Sequence, residues 1–144
     1  MRGPVEVVVV VRRGDAYLAL RRVPERLAYW NPVAGGVEEG ETPVSAARRE
    51  LYEETSLDAE VVELPVTLSY SLLDDPPEVR ARYAPGIETV TVHPFLAEAP
   101  PGWEPVLDAE HDAYRWCTAE EAVSLFAYET PKEALRAATR VAEA

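Results

Sequence analysis

The chain is poor in the residues that most redox and transition-metal sites use. Cys117 is its single cysteine, and His93 and His111 are its only histidines. One thiol cannot close an internal disulfide, which fits a reducing, cytoplasmic setting. One cysteine and two histidines are also too few for a Cys/His zinc site. Lysine is almost missing: Lys132 stands alone, and the remaining basic charge is arginine. Arginine suits bidentate contacts to phosphate, although genome composition gives the same bias. No apolar run approaches the ~20 residues of a membrane span. The valine-rich start, MRGPVEVVVVVRRGD, lacks a small-residue cleavage site and reads as a strand, not a signal peptide. Positive charge is scarce overall, with 14 Lys and Arg against 26 Asp and Glu, a formal net charge of −12. Such a balance argues against nonspecific binding to nucleic acid or an anionic membrane. A small polyanion stays open as a partner if a divalent cation and local arginines mediate.

What remains is a globular composition in 144 residues, 47% hydrophobic and 28% charged. That is one domain, spanning 1–144, able to bury roughly 70% of its unfolded surface. Residues 5–11 form a β-branched run and predict a strand buried on both faces. RRGD (12–15) is turn chemistry, and 16–22 read as the returning strand of a hairpin. Residues 23–32 read as an irregular loop. Thr42 can cap a helix over TPVSAARRELYEET, with Pro43 at its first position. Val44, Ala47 and Leu51 predict its apolar stripe. Residues 59–73 suggest one or two strands, 74–88 a loop with three prolines, and 89–99 an alternating strand. After a second loop, 113–118 predict a short strand with Tyr114 and Trp116 on one face. Thr118 with Glu121, and Thr130 with Glu133, are two capping-box signatures for the closing helices. Strands, helix, strands and helices in that order indicate a mixed α/β sandwich.

Residues 34–57, AGGVEEGETPVSAARRELYEETSL, pose the functional question. Glu50, Glu53 and Glu54 fall at i, i+3 and i+4, so they share a helix face. Like charges there repel by roughly 0.2–0.5 kcal/mol per pair, and the C-terminal end of a helix dipole favours cations instead. A solvated acidic face, salted by Arg48 and Arg49, is one explanation. A hard divalent cation among the carboxylates is the other. The preceding AGGVEEGE favours the second, because Gly35, Gly36 and Gly40 read as a turn that lets a ligand approach the backbone closely.

The segment resembles the signature of the Nudix hydrolases. That pattern is Gly, five residues, Glu, seven residues, Arg-Glu, an aliphatic, any residue, Glu-Glu, any residue, Gly and an aliphatic. Here the positions are Gly35, Glu41, Arg49, Glu50, Leu51, Glu53, Glu54, Ser56 and Leu57, a box over 35–57. Only Ser56 departs, standing for glycine where the helix ends, which strains the turn but removes no ligand. WNPVAGGVEEGE, RARYAPG and EHDAYRW are similar to the bacterial branch of the family that contains dihydroneopterin triphosphate diphosphatase.

The resemblance implies an α/β/α sandwich with a mixed β-sheet and Mg2+ as cofactor, with Mn2+ as a substitute. It implies Glu53 and Glu54 as metal ligands, Glu50 as a further ligand or the base that activates water, and Arg49 as their partner. The backbone of Ala34 takes the place of the family's coordinating turn carbonyl. Glu41 orients the loop, or is an exposed acid. Glu110 is the expected distal carboxylate, with Glu104, Asp108 and Asp112 as nearby alternatives, and His111 reads as structural. For the substrate, Arg21 is expected to point at the box and Arg22 away from it. Arg80 and Arg82 are secondary phosphate contacts. Trp30 and Tyr83 are stacking candidates, Trp30 alternatively a lid over the core, while Trp116 reads as core.

The expected reaction is hydrolysis of a phosphoanhydride in a nucleoside diphosphate linked to another group, with a pterin triphosphate or a (d)NTP favoured. Dinucleoside polyphosphates, ADP-ribose and oxidised nucleotides fit the same box. A noncatalytic nucleotide sensor of the same fold is the competing class, but such modules lose box carboxylates that are all present here. A homodimer is left open.

Overall fold

The computed structural model describes residues 2–73 and 75–143. The expected span of 1–144 also includes Met1, Asp74 and Ala144, which lie outside the described residues, as does the first residue of the 74–88 loop.

Strand β1 (Val5–Arg13) is the pivot of the sheet. Val7 to Val11 are all buried, as an unbroken β-branched run requires. Along one edge β1 runs parallel to β7 (Thr89–Glu98), from Val5 opposite Thr91 to Arg12 opposite Glu98. Its other edge is shared. Arg12 and Arg13 pair with β2 (Ala16–Arg22), while Glu6 to Val9 pair with β4 (Val33–Gly36). Beyond the hairpin, β2 pairs with β8 (His111–Cys117) and with β3 (Trp30–Asn31). The short strands β5 (Val62–Glu63) and β6 (Leu68–Ser71) line the far edge of β7. One parallel pairing among antiparallel ones makes the sheet mixed.

Helices cover both faces. Val7, Val9, Leu20, Val33 and Phe95 pack with Ala46, Ala47 and Leu51 of α1 (Pro43–Thr55). Val8, Val10, Val90 and Val92 pack with Ala122 of α3 (Ala119–Leu125) and Leu135 of α4 (Glu129–Glu143). A single turn, α2 (Pro77–Arg80), interrupts the proline-bearing loop. The result is the expected α/β/α sandwich. Fully buried Phe95 shows what it rests on, since its truncation to alanine costs about 3–5 kcal/mol.

Helix α1 begins as its sequence dictates. Thr42 Oγ1 accepts the Ser45 N–H at 3.1 Å, and Pro43 occupies the first position. It ends at Ser56, whose φ of 66° is left-handed and whose N–H returns to the Tyr52 carbonyl at 2.8 Å. A side chain there costs about 1–2 kcal/mol, so the departure from glycine does strain the turn.

Three local expectations need correction. The buried residues of α1 are Ala46, Ala47, Leu51, Glu54 and Thr55, and Val44 is 46% exposed. At 3.6 residues per turn Val44 is in line with Leu51 and Thr55, and it is its place in the first turn, not its face, that sets it apart from them. The capping box at Thr118 and Glu121 forms with both bonds, at 2.8 and 3.2 Å. The one at Thr130 does not, because α4 starts at Glu129 and places Thr130 inside its first turn. Finally, Gly35 and Gly36 belong to β4 and not to a turn; Gly40, at φ 80°, carries the turn that follows.

Candidate active site

The three carboxylates of α1 do not share one environment. Glu53 is half exposed, Glu50 is largely covered, and Glu54 is buried at 3% exposure. Burial first, and then the Glu50 carboxyl beside it, push the Glu54 pKa well above the usual carboxylate range. Desolvation and a neighbouring like charge act in the same direction.

Close approach of the strand to the helix creates this crowding. A Cβ on Gly35 would lie 2.2 Å from the Glu50 carboxylate, so Glu50 can lie against β4 as it does only because residue 35 has no side chain. Arg49 fastens the two elements. Its Nε and Nη2 donate to Glu41 at 2.8 and 3.0 Å, and Nη1 donates to Glu50 at 2.8 Å and to Glu53 at 3.3 Å. Nη2 also donates to the Gly36 carbonyl at 3.0 Å. The fork on Glu41 holds that carboxyl below its usual pKa, and Glu41 in turn accepts the Glu38 N–H at 3.0 Å. Glu41 therefore orients the loop through Arg49.

These groups edge a cavity of about 800 Å³. Its lining includes Ala34, Gly35 and Glu50 and four arginines, Arg2, Arg22, Arg26 and Arg82. Among the described residues Arg22 and Arg82 make no ion pair with a carboxylate. Arg22 lies over the ring of Tyr29, 5.6 Å from its centroid, and Tyr29 meets Tyr128 edge-on at 5.1 Å. The loop that presents Tyr29 is strained, with Leu27 at φ 76° and Ala28 at φ 53°.

Ala34, Glu50, Arg82 and Glu110 thus meet at one cavity, with Glu54 against Glu50. Arg21, Trp30 and Tyr83 do not join them. The bulge beside Arg21 and Arg22 lies on β8, where Asp112 is the extra residue, so β2 keeps its alternation and Arg22 falls on the α1 face with Leu18 and Leu20. Arg21 instead binds Asp112 through two bonds, at 2.8 and 2.9 Å, and Arg22 takes the cavity position. Trp30 packs against the α3–α4 side of the core, which is its alternative role as a lid, and the neighbouring Tyr29 faces the cavity. Tyr83 is 6% exposed and gives its hydroxyl to Glu6 at 2.9 Å, so its ring is no stacking platform. Arg80 does not line the cavity. Trp116 is only partly buried, lying under Arg13 with its indole N–H on Glu104.

Glu110 lines the cavity but is held by Arg26 at 2.9 Å. His111 is buried between Asp108, 2.7 Å from Nδ1, and Glu54, 3.6 Å from Nε2. It braces a site carboxylate without reaching the cavity. Among the described residues no three acidic, histidine or cysteine side chains converge on one point as a metal cage. Glu53 and Glu110, expected in such a cage, are turned to Arg49 and Arg26. The donor chemistry at Glu50 and Glu54 still fits a hard divalent cation. Two carboxyls in contact, one desolvated, form an all-oxygen donor set that such a charge relieves.

A description of the NUDIX domain family matches residues 2–138. The chain belongs to the Nudix family. Among individual relatives, the octanoyltransferase of Myxococcus xanthus is 33% identical over 138 residues, 94% of this chain and 36% of that protein. The chain therefore spans about a third of that relative. The dihydroneopterin triphosphate diphosphatase of Escherichia coli K12 is 33% identical over 129 residues, 85% of this chain and 83% of that protein. The RNA pyrophosphohydrolase of Cereibacter sphaeroides is 32% identical over 126 residues, covering 81% and 76%. A solved structure, that of the E. coli dihydroneopterin triphosphate pyrophosphohydrolase, matches with a TM-score of 0.80 at 32% identity over 92% of each chain.

Proposed function

We propose that this Nudix pyrophosphohydrolase cleaves a phosphoanhydride in a small triphosphate bearing a pterin or purine ring. The observation that carries this reading is one cavity lined by Glu50, with Glu54 behind it, and by arginines. A carboxylate pair alone would repel a polyphosphate, and arginines alone would bind it without chemistry. The likeness to a dihydroneopterin triphosphate diphosphatase over most of both chains supports the pterin choice.

Glu54, Glu50 and the Ala34 backbone would hold the divalent cation, and Glu53, paired with Arg49 here, would turn to join them. When bound, it neutralises phosphate oxygens and acidifies water. The chain's own residues do the rest. Arg22 and Arg82 bind the phosphates as charged hydrogen-bond donors. Tyr29 offers its face to the planar ring. Glu50, fixed by Arg49, takes the proton of the attacking water. Water adds to one phosphorus, the bridging P–O bond breaks, and the products are a monophosphate and pyrophosphate. No covalent intermediate is needed.

The test is a screen with Mg2+ and product identification over dihydroneopterin triphosphate, ATP, dATP, ADP-ribose, diadenosine polyphosphates and 5′-triphosphorylated RNA. The pterin triphosphate is expected to turn over fastest. A faster dinucleotide or RNA substrate would discard the pterin assignment, and no turnover of any substrate would discard the reading.

A further inference from the structure

We propose that Arg2 binds a substrate phosphate in this cavity, and that buried Glu6, Tyr70 and Tyr83 are its positioning residues. The inference rests on the reading of the cavity as a polyphosphate site.

Glu6 opens β1 and is only 8% exposed. Its Oε1 accepts the Tyr70 hydroxyl at 2.5 Å, its Oε2 accepts the Tyr83 hydroxyl at 2.9 Å, and the two hydroxyls lie 2.8 Å apart. Arg2 Nη2 reaches the same Oε2 at 3.1 Å, with the guanidinium 5.7 Å from the Tyr83 ring centre. Burial first, and then Glu6, raise the Tyr83 pKa to about 12, so that hydroxyl stays a donor at neutral pH. The backbone adds a second fastening. The Arg2 N–H donates to the Arg82 carbonyl at 2.8 Å, and Ala84 N–H donates to the Arg2 carbonyl at 2.9 Å.

A carboxylate removed from water is expensive, and a stable core would do as well with apolar residues. Arg2 supplies the positive charge that faces Glu6, and the two tyrosine hydroxyls fix the carboxylate oxygens against which it is held. The arrangement gives direction. The guanidinium passes Gly36, with Nε 3.6 Å from where a Cβ would stand, and lines the cavity together with Gly35 and Glu50. Among the described residues only Nη2 of Arg2 is engaged by a carboxylate, which leaves the rest of the donor fork for a phosphate. The backbone bridge joins Arg2 to Arg82, so the two arginines act as one clamp.

The experiment compares wild type with Arg2→Ala, Arg2→Lys, Glu6→Gln and Tyr83→Phe. KM and kcat are measured on the best triphosphate, and pyrophosphate affinity by calorimetry with Mg2+, with folding checked by circular dichroism. Arg2→Ala should raise KM about 10- to 100-fold, the range of a charged hydrogen bond, and weaken pyrophosphate equally. Arg2→Lys should recover part of both. Glu6→Gln and Tyr83→Phe should raise KM several-fold with kcat within about twofold. Equal pyrophosphate affinity in wild type and Arg2→Ala, or no binding by either, overturns the phosphate role. A lower melting temperature in Glu6→Gln and Tyr83→Phe with unmoved KM reduces the cage to a structural one and overturns positioning. Absent turnover in wild type counts against the reading of the site, and the calorimetry still decides Arg2.

Discussion

The two walls of the cavity are built in opposite ways. The acidic wall stands on regular structure: Glu50 on α1, with Glu53 and Glu54 beside and behind it, and Ala34 and Gly35 on β4, with Arg49 bolting helix to strand. The basic wall is collected from four separate segments. Arg2 precedes β1, Arg22 ends β2, Arg26 ends a short 3-10 turn, and Arg82 lies in the loop after α2. Helix and strand fix groups to within fractions of an ångström, which bond cleavage demands. Loops tolerate replacement. On the proposed reading of the site, the difference teaches that the chemistry would be fixed in this chain while substrate choice would be adjustable.

The largest effect that would break this division comes from Glu54→Gln. Turnover should fall about 10²- to 10⁴-fold, a range typical for removing a catalytic carboxyl. In the absence of cation the melting temperature should rise, because a buried carboxyl pressed against Glu50 is gone. Saturating Mg2+ should stabilise wild type by about 3 kcal/mol at a hundredfold excess over Kd, and the variant by less. Full activity, or an unchanged cation response, would remove Glu54 from the wall.

Gly35→Ala tests the rigidity itself. The new Cβ overlaps the Glu50 carboxylate, and the flexible end of Glu50 must swing aside. A displacement near 1 Å costs about 10²-fold in rate, so kcat should fall on that order while the protein stays folded. Unchanged kcat would mean that Glu50 need not sit where it does.

On the basic wall, Arg22→Ala should raise KM for a triphosphate about tenfold or more. Arg21→Ala should move neither KM nor kcat, because it removes only an exposed pair with Asp112, worth about 0–1 kcal/mol of stability. The reverse ranking would restore Arg21 to the site.

The smallest effect lies outside both walls. Hydrogen bonds from Arg13, then Trp116, hold Glu104 at a pKa of about 2, below its ordinary 4.5. The unfolded chain binds this proton more readily, so the contribution is complete above about pH 4.5 and is lost as pH falls toward 2. Melting curves of wild type and Glu104→Gln should differ at neutral pH and converge in acid. A difference that persists at pH 2 would contradict the pairing.

The same contrast governs what could be read from the sequence. The acidic wall is contiguous, so helix spacing, glycine placement and the box pattern expose it within residues 34–57. The long elements were legible too, because β1, α1 and β7 carry strong periodicity and α1 a complete N-cap. The basic wall was hidden, since its arginines lie up to 80 positions apart and only pairing brings them together. Alternation along β2, counted from Leu18 and Leu20, gives the α1 face to Arg22 and not to Arg21. Tyr29 and Trp30 are neighbours, and extended chain points neighbours opposite ways, so choosing the larger ring chose the wrong face. Tyr83 was lost to stacking because Glu6, 77 residues away, claims its hydroxyl. No local signal marks Glu6 or Arg2, although a glutamate inside a valine run is an anomaly that asks for a partner.

The most direct measurement of the two-wall arrangement is a steady-state comparison of Glu50→Gln and Arg22→Ala on one triphosphate at saturating Mg2+. If the acidic wall does the chemistry and the basic wall holds the substrate, Glu50→Gln lowers kcat with KM nearly unmoved. Arg22→Ala then raises KM with kcat nearly unmoved. Both substitutions changing the same parameter alone, whether kcat or KM, would contradict the division of labour.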